Sequence, residues 1–332
     1  MTEFSLDFPR AYGDLSASAV FRDQPEDFKV DEDLGFEPSG SGEHVFLQVL
    51  KRGENTAWVA GQIANLAKVA ANDVGYAGRK DRHAVTTQWF SVYLPKGAEP
   101  DWSLLNSDSL YVIRSARHHQ KLRRGDHCKN LFVIRLRAVQ TPDQVALGRK
   151  IDVVLAQGVP NYYGEQRFGI NGNNLLEAEA ILVGGKRHRD KQKRGLMLSA
   201  ARSYLFNQVL ASRVVSGNWR ELITGEPLTE ASGPLWGRGR SLAKEDLLLQ
   251  EQVSLAPWQA WCDGLEHAGL SQERRALRLL PANTSWRWIG ADLELSFSLA
   301  AGEFATAILR ELAQLNNASS GAFSELEQAG EY

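Results

Sequence analysis

Sulfur is nearly missing from the 332 residues, which hold two cysteines and two methionines. Cys128 and Cys262 are too few for a disulfide framework, and neither belongs to a C-x-x-C pair, so disulfide stapling and thiol-based metal or redox chemistry are excluded and a reducing compartment is expected. Long apolar runs are lacking too. Charged residues or glycine interrupt each one well short of the ~20 residues that a bilayer demands, so no membrane partner is expected. The segment MTEFSLDFPR carries Glu3 and Asp7 where a secretory leader would have Lys or Arg, and a cytoplasmic location is the expectation. An excess of one charge is absent as well: 38 basic residues against 40 acidic ones leave a net of −2. Core-forming residues are plentiful, at 43% hydrophobic with nine Trp, and this excludes general disorder. Because single cores stop growing near ~250 residues, two domains are expected.

The near-zero net charge conceals an uneven distribution. Arg114, Arg117, Lys121, Arg123, Arg124, Lys129, Arg135 and Arg137 share a stretch whose only acid is Asp126, and Lys186, Arg187, Arg189, Lys191, Lys193 and Arg194 are relieved only by Asp190. Acids gather at residues 23–33 and at Glu325, Glu327 and Glu331. Such runs are either solvated surface or the local stripes of a polyanion-binding face, since attraction to phosphate is screened beyond ~8 Å at physiological salt.

Periodicity divides the chain in three. Residues 28–33, 44–51, 87–94, 110–117 and 130–137 alternate or are β-rich and read as strands, with a helix over 56–70 capped by Asn55 or Thr56 and another from Thr141-Pro142 to Gly158. The basic loop between the fourth and fifth strands is thereby displayed from a sheet edge or end. From Gly158 to about Leu280 the helical period dominates, over 175–183, 196–215, 242–255, 258–267 and 271–279. Strand signals return at 285–289 and 292–299, followed by a helix over about 303–315, with a polar, frayed stretch expected from Asn316. The helical block therefore reads as an insertion.

Several residues could carry chemistry. In GYAGRKDRH (75–83) two glycines permit a sharp turn, and Lys80 and Arg82 flank Asp81 closely enough to favour its ionised form. Asp81 is either a turn residue capping backbone N–H groups or a poised base or nucleophile. Phe28 is either a core aromatic or a platform for a base. Phe132 and Ile134 share one strand face, and Asn130 begins that strand with an amide that both donates and accepts, as the uracil edge requires. Gly302 to Thr306 ends a strand and starts a helix, a position where N–H groups point outward. His118, His119, His127 and Cys128 match no standard ligand spacing, and the surrounding cations oppose a dication, so no metal is expected. Neither a G-x-x-x-x-G-K-[ST] nor a G-x-G-x-x-G motif is present, so no nucleotide cofactor is expected.

GYAGRKDRHAV (75–85) resembles the catalytic motif of the TruD-type tRNA pseudouridine synthases, close to [FY]-A-G-x-K-D-[RK]-x-A-V. The likeness extends to EDFKVDE (26–32), NLF (130–132), PNYYGEQRFG (160–169), LSAARS (198–203) and Gly302-x-Phe304-Ala305-Thr306. The stretch 216–274 is shorter than is usual in the family. Glu303 stands where a small residue is usual, and Arg22 where a Lys precedes the E-D-F element.

The resemblance implies an α/β fold of the α+β kind, with a catalytic domain around a central antiparallel sheet (1–157 and 281–332) and an inserted, mainly helical α/β domain (158–280). It implies isomerisation of the uridine at position thirteen of tRNA to pseudouridine, with no cofactor and with tRNA as partner. A monomer is the expectation. Asp81 would be the nucleophile or the base that removes a ribose proton, kept ionised by Lys80 and Arg22. Phe28, Phe132 and Phe304 would line or stack on the base, and Asn130 would hydrogen-bond to it. Arg123, Arg124, Lys129, Lys191 and Lys193 would hold phosphates. The rival readings are an RNA-binding chaperone that holds a base without converting it and, more distantly, a metal-dependent nuclease.

Overall fold

Period-two runs such as HVFLQVLKR and the period-3.6 run TAWVAGQIANLA set the elements of the structure, a computed structural model that describes residues 4–95 and 98–318. Strands β1 (Ser18–Phe21), β2 (Phe28–Asp33) and β3 (His44–Arg52) precede helix α1 (Thr56–Ala67). Strands β4 (Val74–Tyr76), β5 (Val85–Tyr93), β6 (Leu110–His118) and β7 (Lys129–Gln140) follow, then α2 (Gln144–Gln157) and β8 (Val159–Pro160). The middle holds α3 (Asn173–Leu182), α4 (Lys191–Val215), β9 (Ser232–Leu235), α5 (Glu245–Leu255) and α6 (Gln259–Glu266). Last come β10 (Glu273–Ala276), β11 (Arg278–Leu279), β12 (Ala282–Ile289), β13 (Asp292–Ala300), α7 (Ala305–Leu312) and β14 (Gln314–Asn317).

By internal packing the chain divides into two compact units. The sheet unit comprises Ser16–Leu147, Pro281–Glu303 and 313–318. Its strands run β12-β13-β7-β2-β5-β3-β6, with β4 on β5 and β1 on both β7 and β14. Pairing is antiparallel except for β2 with β5 and β1 with β14. Val45, Leu47 and Val49 alternate onto one face of β3 and are fully buried with Val59 and Ile63 of α1. Phe46 projects the other way, into a cluster with Leu34, Trp89 and Leu122. Helix α1 begins where expected, with Asn55 accepting from the Ala57 N–H, but stops at Lys68, which adopts φ 54° and closes the last turn.

The helical unit comprises 4–15, Gly148–Leu280 and Phe304–Leu312. Residues 4–15, 148–157 and 304–312, expected with the sheet, pack here, the first and last for visible reasons. Phe8 stacks on Tyr162 at 5.3 Å, and the Glu311 carboxylate accepts from the N–H groups of Ala11 (3.0 Å) and Tyr12 (3.3 Å). The core gathers Phe168, Leu175, Leu205, Phe206 and Trp261 around α4, whose first turn is capped by Asp190.

Two expectations fail. Residues 271–279 are not helical: β10 pairs with β9, and β11 pairs with β8. Strands of four and two residues alternate too briefly to outweigh an apolar spacing that also suits a helix, and long-range pairing decides. Nor does the last helix reach Leu315, because it ends at Leu312 and the chain turns into β14, so that Asn316 and Asn317 pair with Val20 and Phe21 rather than fray. Glu325, Glu327 and Glu331 lie outside the described residues.

In the helical unit Arg274, 3% exposed, meets Glu251 at 2.7 Å and Glu226 at 3.4 Å. Replacing Arg274 with Met strands two buried carboxylates and is expected to cost about 3–5 kcal/mol in urea unfolding. Burial already raises the Glu251 pKa. The deficit should therefore shrink as the pH falls and Glu251 takes up a proton; a pH-independent deficit would contradict this.

Candidate active site

The strand that leads into the Asp81 turn, β4, has a glycine at its centre for a steric reason: a Cβ on Gly75 would lie 2.3 Å from the Leu122 carbonyl oxygen and 2.7 Å from Ser91 Oγ. Beyond it, buried side chains from three elements take hold of the backbone. The Gln88 amide, on β5, donates to the Gly78 carbonyl. Thr56 Oγ1, at the start of α1, accepts from the Lys80 N–H at 3.0 Å and hydrogen-bonds Gln88 Oε1 at 3.1 Å. Lys51 Nζ, on β3, donates to the Asp81 carbonyl at 2.9 Å and to the Glu54 carbonyl at 2.8 Å. Gln88 and Lys51 are completely inaccessible, and Thr56 nearly so. A turn of this length would ordinarily be mobile; this one is fixed at residues 78, 80 and 81.

The Asp81 side chain remains 39% exposed, and Oδ2 meets Arg22 Nη2 at 2.5 Å. Arg22 is itself buried, with its guanidinium 4.5 Å from the centre of the Phe28 ring and 4.7 Å from that of Phe21. Burial pulls the Arg22 pKa down, and the charge of Asp81 works against that shift. Arg22 also adopts φ 58°, a left-handed conformation that costs a non-glycine residue about 1–2 kcal/mol and persists only where its surroundings enforce it.

Lys80 points elsewhere. Its side chain, 7% exposed, pairs with the buried Glu32 carboxylate at 2.7 Å and donates to Asn130 Oδ1 at 2.5 Å. Glu32 Oε1 also accepts from the Trp89 N–H at 3.0 Å. Asn130 Nδ2 lies 3.1 Å from His127 Nε2. The His127 pKa is lowered, first by burial and then by the Lys80 charge, and a neutral ring suits Nε2 as the acceptor. Arg82 donates to the Gly53 carbonyl at 3.3 Å. Neighbours in sequence therefore do not neutralise Asp81; Arg22, 59 positions away, does.

The other expected site residues are placed as follows. Phe28 and Phe132 are buried and meet edge to face at 5.9 Å, with Arg22 over one face of Phe28 and Phe297 5.6 Å from Phe132. Both ends of the Asn130 amide have protein partners. Phe304 belongs to the helical unit, is 43% exposed, and lies 6.4 Å from the Tyr163 ring. Of the first basic run, Arg114 pairs with Glu37, Arg117 with Glu99, Lys129 with Asp33, Arg135 with Asp292, and Arg137 with Asp27. Arg123 and Arg124 are exposed at the loop tip, and Lys191 and Lys193 are exposed at the start of α4. His118 packs between Phe36 and Phe46, and among the described residues no group of three or more His, Cys, Asp or Glu could hold a metal ion.

Lys51, Thr56, Gln88 and Glu32 are not among the expected site residues; Thr56 enters the sequence reading only as one of two candidate helix caps. One signal was available: Lys51 and Gln88 interrupt apolar β-strand runs, and a polar residue there must be satisfied from within.

Comparison with known proteins gives the family. The family model for tRNA pseudouridine synthase D (TruD) matches residues 13–188. The chain belongs to the TruD family. A tRNA pseudouridine synthase D from Cellvibrio japonicus is 61% identical over 319 residues, covering 95% of either chain. One from Aeromonas hydrophila is 45% identical over 336 residues, covering 93% of this chain and 95% of its own. The fold matches the crystal structure of a Methanosarcina mazei protein described as a tRNA pseudouridine synthase D, with a TM-score of 0.69 at 18% identity and coverage of 92% and 95%. Membership makes the protein a pseudouridine synthase, an isomerase. No helix among the described residues is long and apolar enough to cross a membrane.

Replacing Gln88 with Leu frees the Gly78 carbonyl and loosens the Asp81 turn. It is expected to slow turnover by roughly tenfold or more while costing about 1–3 kcal/mol of stability. Turnover equal to that of the unsubstituted protein would contradict the pinned-turn account.

Proposed function

We propose that the protein converts the uridine at position thirteen of tRNA to pseudouridine, with Asp81 as the nucleophile. The observation that carries this reading is a carboxylate at once accessible and immobilised: 39% exposed, ion-paired to Arg22, and set on a turn held at three backbone points. An accessible anionic oxygen at fixed position is what attack at a ribose C1′ requires.

In this scheme Asp81 bonds to C1′ as the bond to N1 breaks, the freed uracil turns, and C5 then bonds to C1′ as the aspartyl ester is released. C5 gives up its proton and N1 gains one, so atoms and electrons balance with no co-reactant. Arg22 faces the carboxylate throughout. It stabilises the anion before attack and again when the ester breaks. In this reading the rings of Phe28 and Phe132, buried edge to face with Arg22 over Phe28, would line the place taken by an extruded base. Lys80 acts from within, holding Glu32 and Asn130 in place, so Asn130 would reach the base only after exchanging one of its internal partners.

The sheet unit is the catalytic one in this reading, and the helical unit supplies RNA contacts. Lys191, Lys193 and Arg194 occupy the first turn of α4, where the helix dipole disfavours cations; a phosphate bound there would reverse that penalty. Arg123 and Arg124 present two further exposed guanidinium groups, and Lys129 would have to leave Asp33 to join them. Phe304 offers an exposed ring on which an RNA base could stack. A cytoplasmic setting agrees with a tRNA substrate.

Replacing Asp81 with Asn is expected to abolish pseudouridine formation in tRNA transcripts and to leave tRNA affinity within about threefold, because phosphate contacts dominate binding. Retained turnover would remove Asp81 from the mechanism. Removing the charge of Arg123, Arg124, Lys191 and Lys193 together should lessen the slope of log affinity against log salt by about 3. An unchanged slope would contradict the phosphate role.

A further inference from the structure

Lys51 is the last member of the inward row Val45, Leu47, Val49, Lys51 on β3, and like the other three it is completely inaccessible. Its ammonium ends on two backbone carbonyls, those of Glu54 and Asp81, and among the described residues no carboxylate lies within ion-pair distance of it. Placing a cation there is unfavourable, since Met or Leu would extend the apolar row without desolvating a charge. The charged groups that bear on it are Asp81 and Glu54, which attract, and Lys80, which repels; burial outweighs them all and pushes its pKa down to about 8.

We propose that Lys51 is a positioning residue for the reaction: it ties the backbone of the residue bearing the carboxylate to β3 and adds a buried positive charge, besides Arg22, to the surroundings of that carboxylate. The inference rests on the assignment of Asp81 as the nucleophile. It goes beyond that assignment by giving the turn a charged anchor that is lost in mildly alkaline solution. Below about pH 8 the ammonium is charged and both effects operate; above it the neutral amine keeps at most a weak hydrogen bond and the charge is gone.

The test uses the full-length protein with unmodified tRNA transcript under single-turnover conditions from pH 6 to 9, comparing Lys51→Met, Lys51→Gln and the unsubstituted protein. Met is expected to lower the rate constant by roughly tenfold or more with tRNA affinity within about twofold, and Gln, which keeps a donor but no charge, to fall between. The unsubstituted protein should show an alkaline decline with a midpoint near pH 8, absent from both variants. A purely structural lysine would alter melting temperature but not the pH profile. Rates for both variants within about twofold of the unsubstituted protein across the range would overturn the inference. Should neither variant fold, the unsubstituted profile decides: a decline near pH 8 supports the proposal, and a flat rate from pH 7 to 9 overturns it. If Asp81→Asn is inactive while Lys51→Met is fully active, only the inference about Lys51 fails; if Asp81→Asn stays active, the nucleophile assignment fails.

Discussion

The structure depends on one constraint: the Asp81 carboxylate is exposed while the turn that carries it is bonded to the sheet and helix beneath it. Exposure and rigidity conflict in a short turn, because open backbone exchanges its hydrogen bonds with water. The conflict is met from below. Gln88, Thr56 and Lys51 are buried in three different elements, and each bonds a backbone group of the turn, leaving the Asp81 side chain as the part that faces outward. Burying three polar groups in a sheet core is unfavourable unless each finds a partner, and here the turn is that partner. Loop and sheet therefore stabilise each other, and a substitution beneath the turn acts on the carboxylate without touching it.

Charge is sorted by direction as well. Lys80 and Asp81 are adjacent in the chain but belong to separate ion pairs. Lys80 goes inward to Glu32 and Asn130, and Asp81 goes outward to Arg22. The inner pair fixes the turn against β2 and β7. The outer pair leaves the Asp81 carboxylate in front of a guanidinium that lies over two phenyl rings and belongs to a residue with a strained backbone conformation. A guanidinium suits that buried position, where desolvation would neutralise an ammonium more easily.

Much of this was legible in the sequence. Alternation located β2, β3, β5, β6 and β7, and helical spacing located α1 and α3 to α6, because their buried faces are long enough to impose a period. The strands at 273–279 were not legible, since two to four residues cannot establish one and pairing with β8 and β9 is a long-range event. The Asp81 turn stood out through its glycines and flanking cations. Which cation would serve Asp81 did not follow from spacing, since Lys80 lies beside it and Arg22 far away. Likewise, eight basic residues in one run read as a single stripe until the fold supplied Glu37, Glu99, Asp33, Asp292 and Asp27 as partners and left Arg123 and Arg124 exposed. Asn130 looked like a base reader because its amide can donate and accept, but both functions are already used inside the protein.

The most direct measurement is position-resolved mapping of pseudouridine in unmodified tRNA after incubation with the purified protein. The account predicts a single new pseudouridine, at position thirteen, in RNA that is recovered at full length without added metal or nucleotide. Recovery of the transcript unmodified, or in cleaved form, would contradict it.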